Sequence, residues 1–203
     1  MSKVQVDTID TRSGTSTMQI GSTNTSTINI GVSGDTVNIP SGVTIANAGT
    51  ATGFGGTNTP AFFAHASGSQ TGLSDNTYTK VTLATEVYDT DSAFTDSRFT
   101  VPSGKAGKYI IYGSVRPEAD SNSDLRNSYL AFYLNGSQYS ENRMNYQSNL
   151  IRGATNSATL SIDLSVGDYV ELYGATDTDG SARSFIGGSS YRSTFMGGYR
   201  LIE

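Results

Sequence analysis

The chain has 203 residues, is rich in small residues with 23 glycines, and carries charge on only 15% of its residues. The absence of cysteine excludes disulfides and thiolate metal sites, and a single histidine leaves little for histidine-based catalysis or metal binding. A net charge of −5 argues against a nucleic-acid partner, and no apolar run is long enough to insert into a membrane as a spanning helix.

The first 59 residues of the chain are poor in aromatic residues, and beyond residue 12 they are poor in charge as well. Residues 1–12 contain several charges and an apolar pattern at Val4, Val6 and Ile9, without the apolar stretch of a signal peptide. Residues 13–59 consist mostly of Gly, Ser, Thr and Asn, with Asp35 as the only charged residue. A single chain of this composition buries too little apolar surface to offset its ordering entropy, which favours a disordered tail.

The apolar residues of residues 1–59, which we call the leader, favour a second interpretation. They come in short alternating pairs, which places two side chains on one face of a strand, and Gly, Ser or Asn residues separate the pairs. The pairs are Met18 with Ile20, Ile28 with Ile30, Val37 with Ile39, and Val43 with Ile45. Because no pair can form a core alone, we expect residues 13–59 to form a trimeric β-stalk and neck shared with two sister chains.

Residues 60–203 carry nearly all the aromatic residues and alternate between apolar and polar residues. The alternation and the intervening turn signals predict an all-β head, an antiparallel sandwich with jelly-roll topology. The predicted strands are Ala61–Ala66, Tyr78–Tyr88, Ser97–Val101, Lys108–Arg116, Ser128–Leu134, Ala158–Leu164, Tyr169–Gly174 and Tyr191–Ile202.

The alternation also predicts two faces for each strand of the head. Apolar residues such as Leu130, Phe132 and Leu172 share the face that we expect to form the core. The tyrosine-rich residues on the opposite side predict an amphipathic surface. Such a surface is typical of a subunit interface or of a stacking platform for a sugar or another ligand. Its residues are Tyr129, Tyr133, Tyr169, Tyr173, Tyr191, Phe195 and Tyr199, and we expect them to form the trimer interface.

A series of motifs in the head resembles a known family. Glu86–Asp89, Arg98–Pro102, Gly107–Ile111, Leu164–Val170 and Ser193–Gly198 follow one another with the order and spacing of the complement C-one-q globular head and, more distantly, the tumour-necrosis-factor ligands. The resemblance implies a jelly roll that assembles as a homotrimer and binds ligands without catalysis. The chain lacks the Gly-X-Y repeat of a collagen stalk, so its stalk is of another kind.

The leader resembles the small-residue N-terminal segments of bacteriophage fibre and virion-appendage proteins, most clearly in Val37–Ile45 and Gly49–Gly55. The resemblance implies a virion protein that assembles in the host cytoplasm. Residues 1–12 would then dock onto a phage capsid or tail protein through Val4, Val6 and Ile9. Two other interpretations are a capsid decoration fibre with a mainly structural role and a small glycan-cleaving fibre enzyme.

Three long polar segments punctuate the head, at Pro117–Asn127, Tyr146–Thr155 and Asp177–Gly188. Because connections in an antiparallel sandwich alternate between its two ends, we expect these loops to lie together, opposite the chain termini of the head. They form either a solvated cap or a surface that binds a host glycan or protein. The candidate binding residues are Glu118, Asp120, Asn122, Asp124, Arg126, Asn149, Arg152, Asp177, Asp179 and Arg183.

Few residues indicate catalysis or metal binding, and we predict no catalytic residue, no metal site within one chain and no cofactor. Asp177–Gly180 resembles the start of a calcium loop but lacks the later ligands, so only a shared calcium ion at the trimer apex stays open. Asp89 and Asp91 form a weak candidate pair for glycoside cleavage. His65 has no neighbouring base or nucleophile in the sequence, so we expect it to be structural.

Overall fold

The computed structural model describes residues 20, 23–24, 26–46, 58–147, 150–180 and 182–201. The chain divides into two compact units, residues 1–52 and 53–203. Within the described ranges every regular element is a β-strand. No helix there has the length and apolar character needed to cross a bilayer.

The strands of the head, numbered in chain order, are antiparallel throughout. They are β1 (Ala61–His65), β2 (Gln70–Thr71), β3 (Thr79–Lys80), β4 (Thr85–Asp89), β5 (Phe94–Thr95), β6 (Arg98–Thr100), β7 (Gly107–Val115), β8 (Pro117–Ala119), β9 (Leu125–Leu134), β10 (Ser137–Asn145), β11 (Asn156–Leu164), β12 (Tyr169–Thr178), β13 (Arg183–Phe185) and β14 (Phe195–Arg200).

Two large sheets form the predicted sandwich. The first sheet has the order β11-β7-β14-β1-β4, and the second has the order β10-β9-β12-β6-β5, with β3 paired to β12. A small third sheet, β2-β13-β8, lies at the end of the head where β7 leads into β8. The expected all-β jelly-roll fold is therefore confirmed.

The core lies between the inner faces of the two large sheets. Phe62 stacks on Phe94 and Phe99 with ring centroids 5.1 and 4.7 Å apart, and Leu130 and Phe132 are fully buried, as the alternation predicted. Truncation of a buried ring of this kind costs about 3–5 kcal/mol because the cavity refills only in part. The two sheets are thus held by one continuous apolar layer.

The chain ends of the head lie together. Ala61 pairs with Tyr199, and the amide of Arg200 donates to the carbonyl of Pro60 at 3.0 Å. Lys105, which follows the short Pro102–Gly104 turn, places its Nζ 3.2 Å from Thr59 Oγ1. The full length of β7 separates this end from the segment that begins at Pro117, in agreement with the expected placement of the termini.

The structure corrects several strand predictions. The predicted strand Tyr78–Tyr88 is two strands in different sheets, because Val81 and Leu83 are buried in the core where the chain crosses from β3 to β4. An alternating pattern continues through such a crossing, since the inward side chains stay apolar. The last strand begins at Phe195 rather than Tyr191, which lies in a turn and is 87% exposed.

The strand β10 and the four short strands β2, β5, β8 and β13 were not predicted. β10 follows the Asn135-Gly136 turn, whose residues have φ angles of 50° and 80°, and it forms a hairpin with β9. Its sequence is polar because it is an edge strand that does not face the core. β8 and β13 lie within two of the predicted loops, which are therefore more ordered than expected.

Candidate functional site

The outer face of the first sheet carries a cluster of aromatic rings. Phe63 pairs with Tyr88 on β4 and with Gly197 on β14, and Gly197 pairs with Tyr112 on β7, so these positions point to the same side. Phe63 lies 5.5 Å from Phe195 and 6.4 Å from Tyr112, measured between ring centroids. We call this surface the aromatic face, and its members are Phe63, Tyr88, Tyr112, Phe195 and Tyr199.

The centre of the aromatic face has no charge. From Ile110 to Ser114 on β7, and at every position paired with them on β14 and β11, no residue is charged. The hydroxyl of Tyr112 is also held neutral, since burial and a hydrogen bond with Tyr88 raise its pKa well above the ordinary value. Beside Tyr112 and Phe195 the surface sinks into a depression of about 360 Å³.

A glycine lets Tyr112 lie flat on this face. A Cβ atom on Gly197 would come within 2.5 Å of the Tyr112 ring and hydroxyl, so the ring occupies the space above the glycine backbone. The neighbouring Gly198 faces the core instead, where a Cβ would meet Ile111 at 2.6 Å and the carbonyl oxygen of Ile110 at 2.8 Å. Neither side of β14 therefore has room for a side chain at this point.

The outer face of the second sheet has a different character. Tyr133 and Tyr173 stack with ring centroids 3.8 Å apart, and Tyr78 packs edge-on against Tyr129 at 5.8 Å. We call this surface the tyrosine face and include Tyr169 in it. Burial raises the pKa of Tyr129, Tyr133 and Tyr173, so these hydroxyls stay neutral hydrogen-bonding groups at physiological pH.

Charged side chains interleave with the rings of the tyrosine face. Glu171 is only 3% exposed, and its Oε1 accepts from Lys80 Nζ at 2.7 Å and from Arg98 Nε at 2.8 Å. Burial alone would raise the pKa of Glu171, but the hydrogen bonds and charges of these two cations outweigh it and lower that pKa. The guanidinium of Arg98 lies 4.0 Å above Tyr169, and that of Arg143 lies 5.1 Å from Tyr129.

The seven residues predicted to form the trimer interface do not share one surface. Phe195 and Tyr199 belong to the aromatic face, and Tyr191 lies in the turn before β14. Tyr129, Tyr133, Tyr169 and Tyr173 belong to the tyrosine face on the other side of the sandwich. This is a correction to the expectation of a single amphipathic surface, because alternation within a strand does not tell which sheet contains the strand.

The three polar segments meet at one end of the head. Arg152 Nε lies 2.9 Å from Glu118 Oε1, which joins the second segment to the first. Arg126 joins the first segment to the third through Asp177 at 2.6 Å and Asp179 at 2.7 Å. These contacts bring together five of the ten candidate binding residues.

The remaining candidate residues lie nearby, with one exception. Asp120 and Asp124 both place a carboxylate oxygen beside Gly180, and Arg183 Nε lies 2.9 Å from Asp75 Oδ1. Desolvation would raise the pKa of Asp120, but backbone N–H donors and the charge of Arg183 help to lower it. Asn122 is exposed, and Asn149 lies outside the described residues.

Metal binding by one chain does not fit the described residues. They contain no group of three acidic or histidine side chains arranged to hold a metal ion. In the segment that resembles a calcium loop, Asp177 already accepts from Arg126 and Asn127, and Asp179 pairs with Arg126. These carboxylates therefore serve to fix the loops.

The other candidates for chemistry also have structural partners. Asp89 accepts from the amide of Phe94 at 2.8 Å, and Asp91 pairs with Lys105 at 3.3 Å and accepts from the Thr90 hydroxyl at 2.6 Å. His65 is 2% exposed at the end of β1, with Nδ1 3.0 Å from the carbonyl oxygen of Ala66. Asp89 lines an open depression of about 500 Å³ together with Glu86, but its two oxygens accept from the backbone amides of Asp91 and Phe94.

The described part of the leader leaves its apolar side chains exposed. Ile30 is 69% exposed, Val32 78% and Val43 56%, and residues 26–46 contain no strand. Two tight turns are present, with Asp35 donating its amide to the Val32 carbonyl and Val43 to that of Pro40. The expected docking residues Val4, Val6 and Ile9 lie outside the described residues, and the stalk stays a prediction.

Sequence reasoning missed Phe63, Tyr88 and Tyr112, although they are three of the five members of the aromatic face. Tyr112 follows the core residue Ile111, so its outward position was available from the alternation of β7. The grouping of these rings across β4, β1, β14 and β7 could not be predicted, because it depends on the order of the strands in the sheet.

Comparison with protein-family models gives no match, and comparison with curated proteins gives none either. Solved structures that match include the globular domain of zebrafish complement 1qA protein, with 14% identity, a TM-score of 0.46, and coverage of 70% of this chain and 98% of that one. Eiger TNF from S. frugiperda matches with 12% identity, a TM-score of 0.48, and coverage of 70% and 91%. Murine APRIL matches with 12% identity, a TM-score of 0.47, and coverage of 70% and 98%. Such likenesses concern the fold, so the function is argued from the residues of this chain.

Proposed function

We propose that the protein is a homotrimeric, non-enzymatic binding head that assembles through its aromatic face. The observation that carries the proposal is the ring cluster around Phe63, Tyr112 and Phe195, whose centre has no charged residue. A large uncharged aromatic surface is uncommon on a monomer and is typical of the buried centre of a subunit interface. Tyr88 and Tyr199 at its margin supply hydroxyls for the wet rim of such an interface.

The leader supports assembly by three copies. Its described valine and isoleucine side chains are exposed in the single chain, Ile30 by 69% and Val32 by 78%. Burial of these side chains is worth about 1.5–3 kcal/mol each, which becomes available only when other chains cover them. Three leaders wound about one axis form this shared core, with the scarcity of charge allowing identical segments to pack together.

The trimer serves as a bacteriophage virion appendage in this proposal. Residues 1–12 dock on a capsid or tail protein, and the end of the head that carries Glu118, Arg126 and Arg152 binds a glycan or protein on the host surface. Recognition by loops on a rigid sandwich is common, and several weak contacts on one particle combine into strong attachment. In the alternative, the same trimer is a capsid decoration fibre, which attaches to the shell and has a mainly structural role.

Sedimentation of the purified chain tests the proposal. We expect a mass near three times 21.4 kDa. A monomer at working concentration would contradict the proposal. Gold-labelled antibody on virions then separates the two attachments, since label on the tail contradicts the capsid decoration fibre and label on the shell contradicts the tail fibre.

A further inference from the structure

A polar depression of about 340 Å³ lies at the loop end of the head, over the small third sheet. Its walls come from four separate parts of the chain, namely residues 69–72, strand β8, Arg152, and β13 with its neighbours. The volume lies at the lower end of the range for small-molecule sites, about 300–1,000 Å³. All of its lining residues belong to the head unit and to the described ranges.

The floor of the depression is a row of three polar side chains. Ser184 on β13 pairs with Thr71 on β2 and with Glu118 on β8, so all three side chains stand on the same side of the small sheet. Neighbouring strands lie about 4.8 Å apart. The floor therefore presents two hydroxyls and one carboxylate in a line, at the spacing of adjacent strands.

The carboxylate in this row is held in place by two cations. Glu118 is 15% exposed, and it receives Arg152 Nε at 2.9 Å on one oxygen and Arg116 Nη2 at 3.4 Å on the other. Arg152 is 55% exposed and stands at the wall, while Arg183 and Asp120 line the depression from the other segments. Positively charged donors and negatively charged acceptors thus face the same small volume.

We propose that this depression binds a sugar unit of a neutral glycan, an assignment that rests on the proposed function. A sugar hydroxyl donates and accepts at once, so it bridges a carboxylate and a guanidinium or hydroxyl that stand side by side. An anionic ligand would face Glu118 and Asp120, and a cationic ligand would face Arg152 and Arg183. An apolar ligand would displace water from this polar lining without replacing the hydrogen bonds of that water, at about 1–3 kcal/mol for each group left unsatisfied.

The test uses the intact chain and immobilised neutral polysaccharides, namely dextran, mannan, a galactan and chitin oligosaccharides, in a biosensor. Alginate and heparin serve as the anionic probes. We expect at least one neutral glycan to bind, and Arg152→Gln and Thr71→Val each to weaken that binding 10-fold or more. Thr71→Val removes one hydroxyl with little change of shape, and Thr95→Val, an exposed threonine on β5, is the matched control that leaves binding unchanged.

Three outcomes overturn the assignment: no neutral glycan binds, only alginate or heparin binds, or a bound glycan is insensitive to both variants. Sedimentation of the same samples keeps this result apart from the proposed function. A trimer that binds no neutral glycan contradicts the sugar site alone, whereas a monomer contradicts the proposed assembly. Circular dichroism of each variant shows whether it remains folded. If Thr71→Val does not fold, Ser184→Ala removes the neighbouring hydroxyl of the same row and takes its place in the test.

Discussion

The two outer faces of the sandwich carry similar numbers of rings and differ in what lies between them. On the aromatic face, Phe63, Tyr112 and Phe195 contact one another, and serine, threonine and glycine fill the adjoining positions. On the tyrosine face, Glu171 and Arg98 stand among the rings. Removal of water from the aromatic face costs little free energy, whereas covering the tyrosine face would bury charged groups.

The difference teaches that aromatic content alone does not identify an interface. Burial of a charged group costs several kcal/mol unless it is paired, and the tyrosine face already satisfies its charges within one chain. Glu171 is buried beneath Lys80 and Arg98 before any partner arrives. The tyrosine face is thus suited to contact with water, and in the proposed trimer another chain covers the aromatic face.

A charge introduced into the aromatic face is expected to have the largest effect. Phe195→Glu places a carboxylate among Phe63 and Tyr112, where a trimer would bury it without a cationic partner. We expect the mass in sedimentation to fall from three times 21.4 kDa to that of one chain. Circular dichroism should still show a folded all-β head, because Phe195 lies outside the core.

Tyr133→Glu is the matched control on the other side of the sandwich. Its side chain stands on the tyrosine face, beside Tyr173 and close to the cations that surround Glu171. We expect this variant to remain a trimer. Dissociation by Tyr133→Glu with an intact trimer for Phe195→Glu would reverse the assignment of the two faces.

The sequence allowed the core and the fold class to be predicted, because alternation reports on burial directly. Leu130 and Phe132 were assigned to the core from their spacing, and both are fully buried. The edge strand β10 could not be found in this way, since an edge strand outside the core needs no apolar side chains. Its existence depends on backbone pairing with β9, which any residue except proline can provide.

The candidate sites were predictable only in part. The meeting of the polar segments at one end follows from the alternation of connections, and Glu118 and Arg152 do come together. The row of Thr71, Ser184 and Glu118 was out of reach, because it depends on the pairing of three short strands that are far apart in the chain. The same limit applies to the aromatic face, whose rings come from four strands.

The second largest effect is expected at Gly198, on the inner side of the strand that carries the aromatic face. Gly198→Ala would place a methyl group 2.8 Å from the Ile110 carbonyl oxygen, and a backbone atom cannot move aside easily. We expect a loss of roughly 3 kcal/mol in the free energy of unfolding, the upper end of the range for overpacked cores. Urea denaturation measures it.

Gly197→Ala is the neighbouring comparison on the outer side. Its methyl group meets only the far end of the Tyr112 side chain, which can swing away. We therefore expect little loss of stability in the monomer but a weaker trimer, since the ring leaves its position on the aromatic face. Equal losses of unfolding free energy for both alanine variants would contradict this division between core and interface.

A smaller and pH-dependent effect is expected at Glu171. Glu171→Gln removes the charge that Lys80 and Arg98 share, with a loss of about 2 kcal/mol, in the range for charged hydrogen bonds. The pKa of Glu171 is lower in the folded chain, so its contribution is present above the ordinary carboxyl value of 4.5 and is lost as the pH falls through the folded pKa. Denaturation curves of the two proteins should differ at pH 7 and converge once the pH has fallen below the lowered pKa of Glu171 in the folded chain.

The smallest effect is expected from Arg143→Ala on the tyrosine face. The guanidinium of Arg143 lies 5.1 Å from the Tyr129 ring and donates to Asn127 at 3.2 Å, but the side chain is exposed. Exposed cation–π contacts contribute about 0.5–1 kcal/mol, so the unfolding free energy should fall by no more than that. The sedimentation mass should stay at that of the trimer, because this face looks towards water. A dissociated Arg143→Ala variant would mean that the tyrosine face also lies between subunits, and the proposed contrast between the two surfaces would then be wrong.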